Sequence, residues 1–241
     1  MSKSAANKGK RRGQLSLGFP DKLPRLDSLF VTEANEAAVS VLRQPESWPF
    51  PVLCVIGPEK CGLTTLATAW CVEFEGTFFS ADEISRLKPA DVSRLSAIPV
   101  AIDDADAVKR SENLLSLINT AASGSSHLLL TAKHHPGSWQ TNSADLKSRL
   151  NALPVIEISE PDEMLFKARL NAAATRHFLR LDPDVVKYLV PRLDRTYQAI
   201  ERFIDRLSEG VTLTGRAPSV PLAREVLEEL GWNDPDDGIP G

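Results

Sequence analysis

The segment Val52-Leu-Cys-Val-Ile-Gly-Pro-Glu-Lys-Cys-Gly-Leu-Thr-Thr-Leu66 has the layout of a phosphate-binding loop. Residues 52–56 are apolar and predict a buried strand, residues 57–62 form a loop bounded by glycines, and a helix is predicted to run from there towards Trp70. In such a layout, backbone N–H groups and the N-terminus of the helix hold anionic oxygens. The segment therefore predicts an α/β protein with a phosphate site between a strand and a helix.

The loop has the glycines of the pattern G-x-x-x-x-G-K-[ST] but not its lysine. Gly57, Gly62 and Thr64 lie in register with the pattern, while Leu63 occupies the lysine position. A charge-assisted hydrogen bond contributes roughly 1.5–3 kcal/mol, so we expect its loss to weaken phosphate binding about 10- to 100-fold. Lys60 is a candidate to supply part of the missing charge. The alternative is a strand–turn–helix that binds no nucleotide, and the segment alone leaves both open.

The composition is that of an ordinary soluble globular protein. The chain has 241 residues, 42% hydrophobic and 25% charged, which fits one large domain or a domain with a smaller one. No apolar run approaches the roughly 18–20 residues that a membrane helix needs, and the polar, basic N-terminus is not a secretory signal. We expect a cytoplasmic protein without membrane contact. Cys54, Cys61 and Cys71 fit packing residues in a reducing compartment better than disulfides or zinc ligands.

The N-terminus combines a polar tail with a short apolar peptide. Residues 1–13 are rich in Lys, Ser, Ala, Asn and Gly, and predict a disordered tail. One interpretation of the peptide Gln14-Leu-Ser-Leu-Gly-Phe19 is a strand or latch against the protein's own core. The other is an exposed recognition peptide, in which Leu15, Leu17 and Phe19 fill pockets on a partner while Gln14 supplies a directional hydrogen bond.

Strands and helices alternate up to about residue 160. Further strands are expected at 77–79, within 98–106, at 127–131 and at 155–158, and helical segments at 33–43 (capped by Thr32), 82–87, 92–95, 111–122 and 145–150. The alternation predicts a five-stranded parallel sheet with helices on both faces. From residue 161 only amphipathic helices are expected, at 161–177, 183–190, 194–208 and 218–230.

This change of pattern divides the chain into four parts. We expect a flexible tail carrying the apolar peptide at 1–24, an α/β core at 25–160, a small all-α domain at 161–232 and a frayed tail at 233–241.

Asp103 and Asp104 lie where the third strand is expected to end. In P-loop proteins an acid at this place orients Mg²⁺ and a second polarises water. The alternative is that the two acids cap the next helix. Because the pair follows a phosphate-loop-like segment, we favour the first interpretation.

The order of these motifs resembles the AAA+ core of the DnaA family. The resemblance is carried by the segments 57–66, 102–106, 128–131, 145–150 and 161–163, and the helical remainder, with Leu193-Asp-Arg-Thr-Tyr197 and Pro221-Leu-Ala-Arg-Glu-Val-Leu227, is similar to the lid of that family. It covers roughly residues 25–230. The chain ends after the lid, so we expect no DNA-binding helix-turn-helix domain. The peptide at 14–19 resembles a sliding-clamp-binding peptide, which is typical of the family's regulators of chromosome initiation.

The resemblance implies a regulator that acts on a partner. Gln14, Leu15, Leu17 and Phe19 would bind the sliding clamp of DNA polymerase, and the AAA+ face would meet the initiator DnaA and stimulate its ATP hydrolysis, which prevents re-initiation. Arg149 matches the arginine-finger position, and such a finger supplied in trans is worth about 10³–10⁵ in rate. The clamp would raise the local concentration of the regulator near newly replicated DNA.

The resemblance also implies a site for ADP or ATP with Mg²⁺. The candidate nucleotide-binding residues are Gly57, Lys60, Gly62, Thr64, Thr65, Asp103, Asp104 and Arg195, with Thr64 and Asp103 as metal ligands once nucleotide is present. Three positions depart from the initiator. Leu63 replaces the lysine, Lys133 stands where the first sensor is acidic, and the second-sensor arginine aligns near Ala199, with Arg195 one turn earlier. All three touch the protein's own nucleotide site, so we expect little self-hydrolysis.

Two other functions stay open. An autonomous ATPase, motor or loader would need the lysine and the sensors that this chain lacks. A DNA-binding adaptor is supported by the basic tail alone, and the net charge of −4 argues against a protein that mainly coats nucleic acid. We expect direct DNA binding to be weak or absent. The sequence leaves self-association into a homo-oligomer open.

Overall fold

The computed structural model describes residues 23–124 and 126–232 of the chain. Its strands are β1 Val52–Ile56, β2 Thr77–Ser80, β3 Val100–Asp103, β4 Leu128–Ala132 and β5 Val155–Glu157. Its helices are α1 Glu36–Leu42, α2 Leu63–Glu73, α3 Ala81–Arg86, α4 Pro89–Arg94, α5 Ser111–Ala122, α6 Ala144–Asn151, α7 Glu163–Arg176, α8 Pro183–Leu189, α9 Tyr197–Thr214 and α10 Val220–Glu229. The peptide at 14–19 and the tail at 233–241 lie outside the described residues.

The five strands form one parallel sheet in the order β2-β3-β4-β1-β5. β1, β3 and β4 are buried along their whole length, whereas the edge strands β2 and β5 are partly exposed. Parallel strands need helical crossovers that cover both faces of the sheet, which is why the inner strands are apolar throughout. The predicted five-stranded α/β fold is confirmed.

The alternation of side chains along β1 divides the core between the two faces of the sheet. Val52, Cys54 and Ile56 pack on the face covered by α5 and α6. Leu53 and Val55 pack on the opposite face with α1 and α2, as the two-residue period of a strand requires. On this second face, Trp48 from the segment before β1 and Trp70 of α2 form a stacked pair, with ring centroids 5.7 Å apart.

The first helix begins later than the sequence predicts. The prediction placed it at 33–43 with Thr32 as its cap, but α1 begins at Glu36. The side-chain oxygen of Asn35 accepts a hydrogen bond from the Thr32 N–H at 2.8 Å, and its amide nitrogen donates to the Phe30 carbonyl at 3.0 Å. These two bonds hold residues 30–35 in a turn that competes with the helix.

The helices after residue 160 have a core of their own. Buried apolar side chains of α7, α8, α9 and α10, among them Leu170, Phe203 and Leu227, pack together away from the sheet. α9 extends to Thr214 rather than to the predicted residue 208, with Gly210 inside it and Gly215 at its C-terminal end. The division of the chain at residue 160 stays a prediction.

A small buried cluster joins the two groups of helices. Tyr197 and Leu165 pack against Ala34, and the Tyr197 hydroxyl donates to the Ser159 carbonyl at 3.2 Å. Across residues 23–124 and 126–232, every helix is too short or too polar to cross a lipid bilayer.

Candidate functional site

The loop between β1 and α2 has the backbone of a phosphate cradle. Gly62 precedes α2 with a φ of 106°, and Lys60 has a φ of 68°, so the loop turns through left-handed conformations. Gly57 is closely packed, since a Cβ there would lie 2.8 Å from the Cys61 sulfur and 3.1 Å from the Ile158 Cβ. The first N–H groups of an α-helix have no partner within the helix, so the start of α2 beside this loop is suited to bind an anion.

Leu63, at the lysine position of the pattern, packs against other apolar side chains. Leu63 is half-buried and packs against the apolar cluster on the α2 face of the sheet, together with Cys61. Burial raises the pKa of the Cys61 thiol to about 11, so this side chain is neutral at physiological pH. Neither residue contributes a charge to the cradle.

Asp103 ends β3 as a buried carboxylate with a partner on each oxygen. The Thr64 hydroxyl donates to Oδ2 at 2.7 Å and the Thr131 hydroxyl donates to Oδ1 at 2.5 Å. Sequence reasoning assigned Thr64 to nucleotide and metal, and it missed Thr131. Because both hydroxyl groups hold the carboxylate in one orientation, Asp103 is preorganised towards the start of α2.

Asp104 lies in different surroundings from its neighbour. Its side chain is exposed and its φ of 52° places it in the left-handed region, which turns the chain away from the strand. Partial loss of water and the charges of Asp103 and Asp106 raise the pKa of the Asp104 carboxyl, while Lys133 opposes the shift. Two neighbouring carboxylates repel each other, so a cation bound between them would be stabilised.

Two arginines of α7 reach the same space. Arg169 donates from Nη2 to the Lys60 carbonyl at 2.8 Å and lies over the Tyr197 ring, 5.6 Å from its centroid. Arg176 donates from Nη2 to both carboxylate oxygens of Glu201, at 2.5 and 2.7 Å. Sequence reasoning missed both arginines. Their spacing of seven residues, which places them on one face of a helix, is the signal that could have indicated them.

These elements enclose an open cleft of about 470 Å³. Of the predicted nucleotide-binding residues, the cleft brings together Lys60, Gly62, Thr64, Thr65, Asp103 and Asp104, along with Lys133. Its volume lies within the roughly 300–1,000 Å³ typical of small-molecule sites. Six of the eight predicted nucleotide-binding residues therefore line one cleft, of a size that suits a small ligand.

Three predicted residues lie outside the lining of this cleft. Gly57 is buried behind the loop. Arg195 is exposed and lies 3.8 Å from the Glu163 carboxylate. Arg149 is exposed near the C-terminal end of α6.

The cleft suits a magnesium ion that arrives with phosphate. Residues 23–124 and 126–232 contain no cluster of three or more His, Cys, Asp or Glu side chains able to hold a metal by themselves. Mg²⁺ prefers oxygen ligands and is often held by one or two carboxylates together with substrate phosphates and water. Thr64 and Asp103, with oxygens 2.7 Å apart, fit that role.

Comparison with known proteins identifies the fold. The sequence matches no protein-family model. The structure is similar to AMPPCP-bound DnaA from Aquifex aeolicus, with a TM-score of 0.67 and 18% identity over 89% of this chain and 72% of that one. It is also similar to a replication initiator DnaA bound to AMPPCP and single-stranded DNA, with a TM-score of 0.63 and 19% identity over 89% of this chain and 70% of the other.

RuvB shares the same fold. A Thermotoga maritima RuvB variant matches with a TM-score of 0.62 and 18% identity, over 89% of this chain and 74% of that chain. The chain therefore has the AAA+ fold of these proteins.

Proposed function

We propose that this protein is a DnaA-related regulator of replication initiation of the Hda (HdaA) type. In this proposal it binds the sliding clamp through Gln14, Leu15, Leu17 and Phe19 and stimulates ATP hydrolysis by the initiator DnaA in the cytoplasm. The observation that carries the proposal is Arg149. It is an exposed arginine without an ion-pair partner among residues 23–124 and 126–232, on a DnaA-like fold whose own loop has Leu63 in place of lysine.

The packing of α6 supports a partner-facing role for Arg149. Leu146 and Leu150 are buried on one face of the helix, and Lys147 Nζ donates to the Gly137 carbonyl at 2.6 Å and the Trp139 carbonyl at 3.3 Å. The helix is therefore fixed to the protein, while Arg149 extends from its exposed side. A guanidinium held in this way can approach the phosphates of a neighbouring subunit without a rearrangement of its own backbone.

In the proposed mechanism this protein supplies a positive charge, and DnaA carries out the hydrolysis of ATP. Negative charge develops on the transferred phosphoryl group in the transition state, and an arginine supplied in trans lowers the barrier. Arg149 would supply that charge, and the clamp-binding peptide would hold the regulator close to its target. The protein's own turnover is not needed.

The test is the rate of ATP hydrolysis by DnaA in the presence of DNA-loaded clamp. The unaltered protein should stimulate the rate, and Arg149→Ala should abolish most of this stimulation. An arginine finger supplied in trans raises the rate of hydrolysis by a factor of about 10³–10⁵. Arg86→Ala, which removes an exposed arginine from α3, is the matched control and should retain stimulation. The double change Gln14→Ala and Leu17→Ala should abolish clamp binding.

Equal stimulation by Arg149→Ala and the unaltered protein would refute the role of the finger. ATP turnover by the isolated protein would instead support an autonomous ATPase. Retention on a specific DNA sequence at moderate salt would support a DNA-binding adaptor.

A further inference from the structure

The charges that line the cleft are not equally available to a ligand. Four cations line it, and two of them are paired with carboxylates: Arg176 with Glu201, and Lys133 with Glu59 at 3.8 Å. Within residues 23–124 and 126–232, Lys60 and Arg169 form no ion pair. The positive charge available to an anionic ligand therefore lies on these two side chains.

We propose that Arg169 takes the place of the absent phosphate-loop lysine and binds the phosphate end of a nucleoside di- or triphosphate. This inference goes beyond the proposed regulation of DnaA, which needs Arg149 and the clamp-binding peptide alone. It assigns a ligand-binding role to a residue of α7 that lies outside the loop.

The geometry places the Arg169 guanidinium directly over the loop. Its Nη2 donates to the Lys60 carbonyl at 2.8 Å, and a Cβ on Gly62 would lie 3.6 Å from Nη1. A guanidinium has five N–H donors, and this contact uses one of them. The remaining donors can bind phosphate oxygens in the bidentate manner that suits arginine.

The surroundings of Arg169 hold it in this position. Its side chain is half-buried, and the Tyr197 ring lies beneath the guanidinium. The negative face of an aromatic ring attracts a cation placed over it. Arg169 is therefore positioned before a ligand arrives, which lowers the entropy lost on binding.

Lys60 is the weaker candidate for the same role. Its side chain is exposed, and its carbonyl already accepts a hydrogen bond from Arg169. A flexible ammonium in water loses rotamer freedom when it binds, and it gains less from a charge that water screens. Arg169 is better placed to bind the phosphates, and Lys60 can add to it.

A phosphate bound by Arg169 would connect two parts of the chain. The loop follows strand β1 of the sheet, whereas Arg169 lies on α7, the first helix after the last strand of the sheet. A ligand that contacts both would favour the arrangement in which α7 lies close to the loop. Nucleotide binding would then influence the position of the helical part.

The test is a calorimetric titration with ADP and ATP, each with Mg²⁺, and with inorganic pyrophosphate. The unaltered protein should bind ADP, and Arg169→Ala should weaken the affinity by about 10- to 100-fold, the loss expected for a hydrogen bond to a charged group. Arg169→Gln keeps an amide able to donate to the Lys60 carbonyl, and it should lose affinity to a similar extent. Lys167→Ala removes an exposed cation from the same helix and should bind as the unaltered protein does.

A double variant tests whether the affinity depends on the positive charge of Arg169 or on its support of the loop conformation. Adding Leu63→Lys to Arg169→Ala should restore much of the lost affinity, because it returns the cation to the loop itself. The melting temperature of each variant shows whether it is folded.

Three results would overturn the proposal. One is the absence of ADP binding by the unaltered protein at millimolar concentration. The others are an unchanged or higher affinity in Arg169→Ala, and a loss in Arg169→Ala that Arg169→Gln alone restores, since Arg169 would then only brace the loop. None of them alters the expected effect of Arg149→Ala on DnaA, so the two proposals can fail independently.

Discussion

The carboxylates of Asp103 and Asp104 are adjacent in the chain but have different partners. Asp103 is buried and each of its oxygens accepts a hydrogen bond from a threonine hydroxyl, whereas Asp104 is exposed and faces two other acids. Two hydrogen bonds hold the carboxylate of Asp103 in one orientation, while partial loss of water and the charges of Asp103 and Asp106 raise the pKa of the Asp104 carboxyl. Of the two acids at the end of β3, Asp103 is therefore fixed by hydrogen bonds, whereas Asp104 is exposed and repelled by its acidic neighbours.

At the residue scale we predict that Asp104→Asn raises the melting temperature at pH 7. The raised pKa of Asp104 means that its carboxylate costs stability at pH values above both its folded pKa and the unfolded value of about 3.9. That cost decreases as the pH falls through the folded pKa, because the native carboxyl then becomes neutral. Asparagine also tolerates the left-handed backbone at this position.

Thermal unfolding followed by circular dichroism at several pH values checks this. The gain from Asp104→Asn should be largest near neutral pH and should disappear by about pH 4. A variant that melts lower than the unaltered protein at pH 7, or whose difference is independent of pH, would contradict the prediction.

Side chains of the site were predictable where sequence neighbours determine them. Gly62 and Thr64 follow from the loop pattern, and the cleft contains both. Thr131 was not predictable as a partner of Asp103, because the pairing of β3 with β4 brings it there. Arg169 depends on how α7 approaches the loop, which no local pattern encodes.

At the scale of elements, two glycines differ in the space available for a side chain. In the loop, a Cβ on Gly57 would lie 2.8 Å from the Cys61 sulfur and 3.1 Å from the Ile158 Cβ. In α9, a Cβ on Gly210 would make an ordinary contact of 3.5 Å with Leu222. The first position has no room for a methyl group, and the second has room and helical geometry.

We therefore predict that Gly57→Ala and Gly210→Ala change stability in opposite directions. Gly57→Ala should lower the free energy of unfolding by about 1–3 kcal/mol through overpacking. Gly210→Ala should raise it by about 0.5–1 kcal/mol, because alanine loses less conformational entropy in a helix. Urea unfolding of the two variants measures both effects. A stabilised Gly57→Ala or a destabilised Gly210→Ala would contradict the prediction.

Elements were predictable where an apolar period continued without local competition. α5 has the predicted bounds, Ser111–Ala122, because its apolar side chains recur at helical spacing. The predicted start of α1 was wrong because the hydrogen bonds of Asn35 hold the preceding residues in a turn. The end of α9 was wrong because Gly210, a residue that disfavours helix, is retained inside it by packing against α10.

At the scale of the whole molecule, two cores meet at a small contact. The sheet and its helices form one set of apolar clusters, α7 to α10 form another, and Tyr197 with Leu165 and Ala34 lies between them. Tyr197 also donates to the Ser159 carbonyl. Tyr197 is therefore one of the side chains that stabilise the junction, together with the hydrogen bond from Arg169 to the Lys60 carbonyl.

We predict that Tyr197→Ala separates the unfolding of the two parts. Loss of a buried aromatic side chain costs about 3–5 kcal/mol, and here the loss falls on a contact between the two cores, so we expect the unfolding of the two parts to become less cooperative. Three of the four tryptophans (Trp48, Trp70 and Trp139) lie in the sheet part and Trp232 packs against the helical core, so fluorescence reports mainly on the sheet part. Far-ultraviolet circular dichroism reports on helices throughout. The two signals should coincide in the unaltered protein and diverge in Tyr197→Ala.

Tyr197→Phe is the matched control, since it retains the ring and removes the hydroxyl group alone. Its two signals should still coincide, at slightly lower stability. Coincident transitions in Tyr197→Ala would mean that other contacts hold the parts together.

The hydrogen bond from Arg169 to Lys60 joins residues 109 positions apart. During synthesis of the chain, the loop is therefore made well before its partner on α7. Synthesis proceeds at about 5–20 residues per second, so several seconds pass between the appearance of the loop and that of α7. The sheet can form during this interval, but a cleft that needs Arg169 cannot yet be complete. A ligand held in this way would bind only chains whose synthesis and folding have reached the helical part.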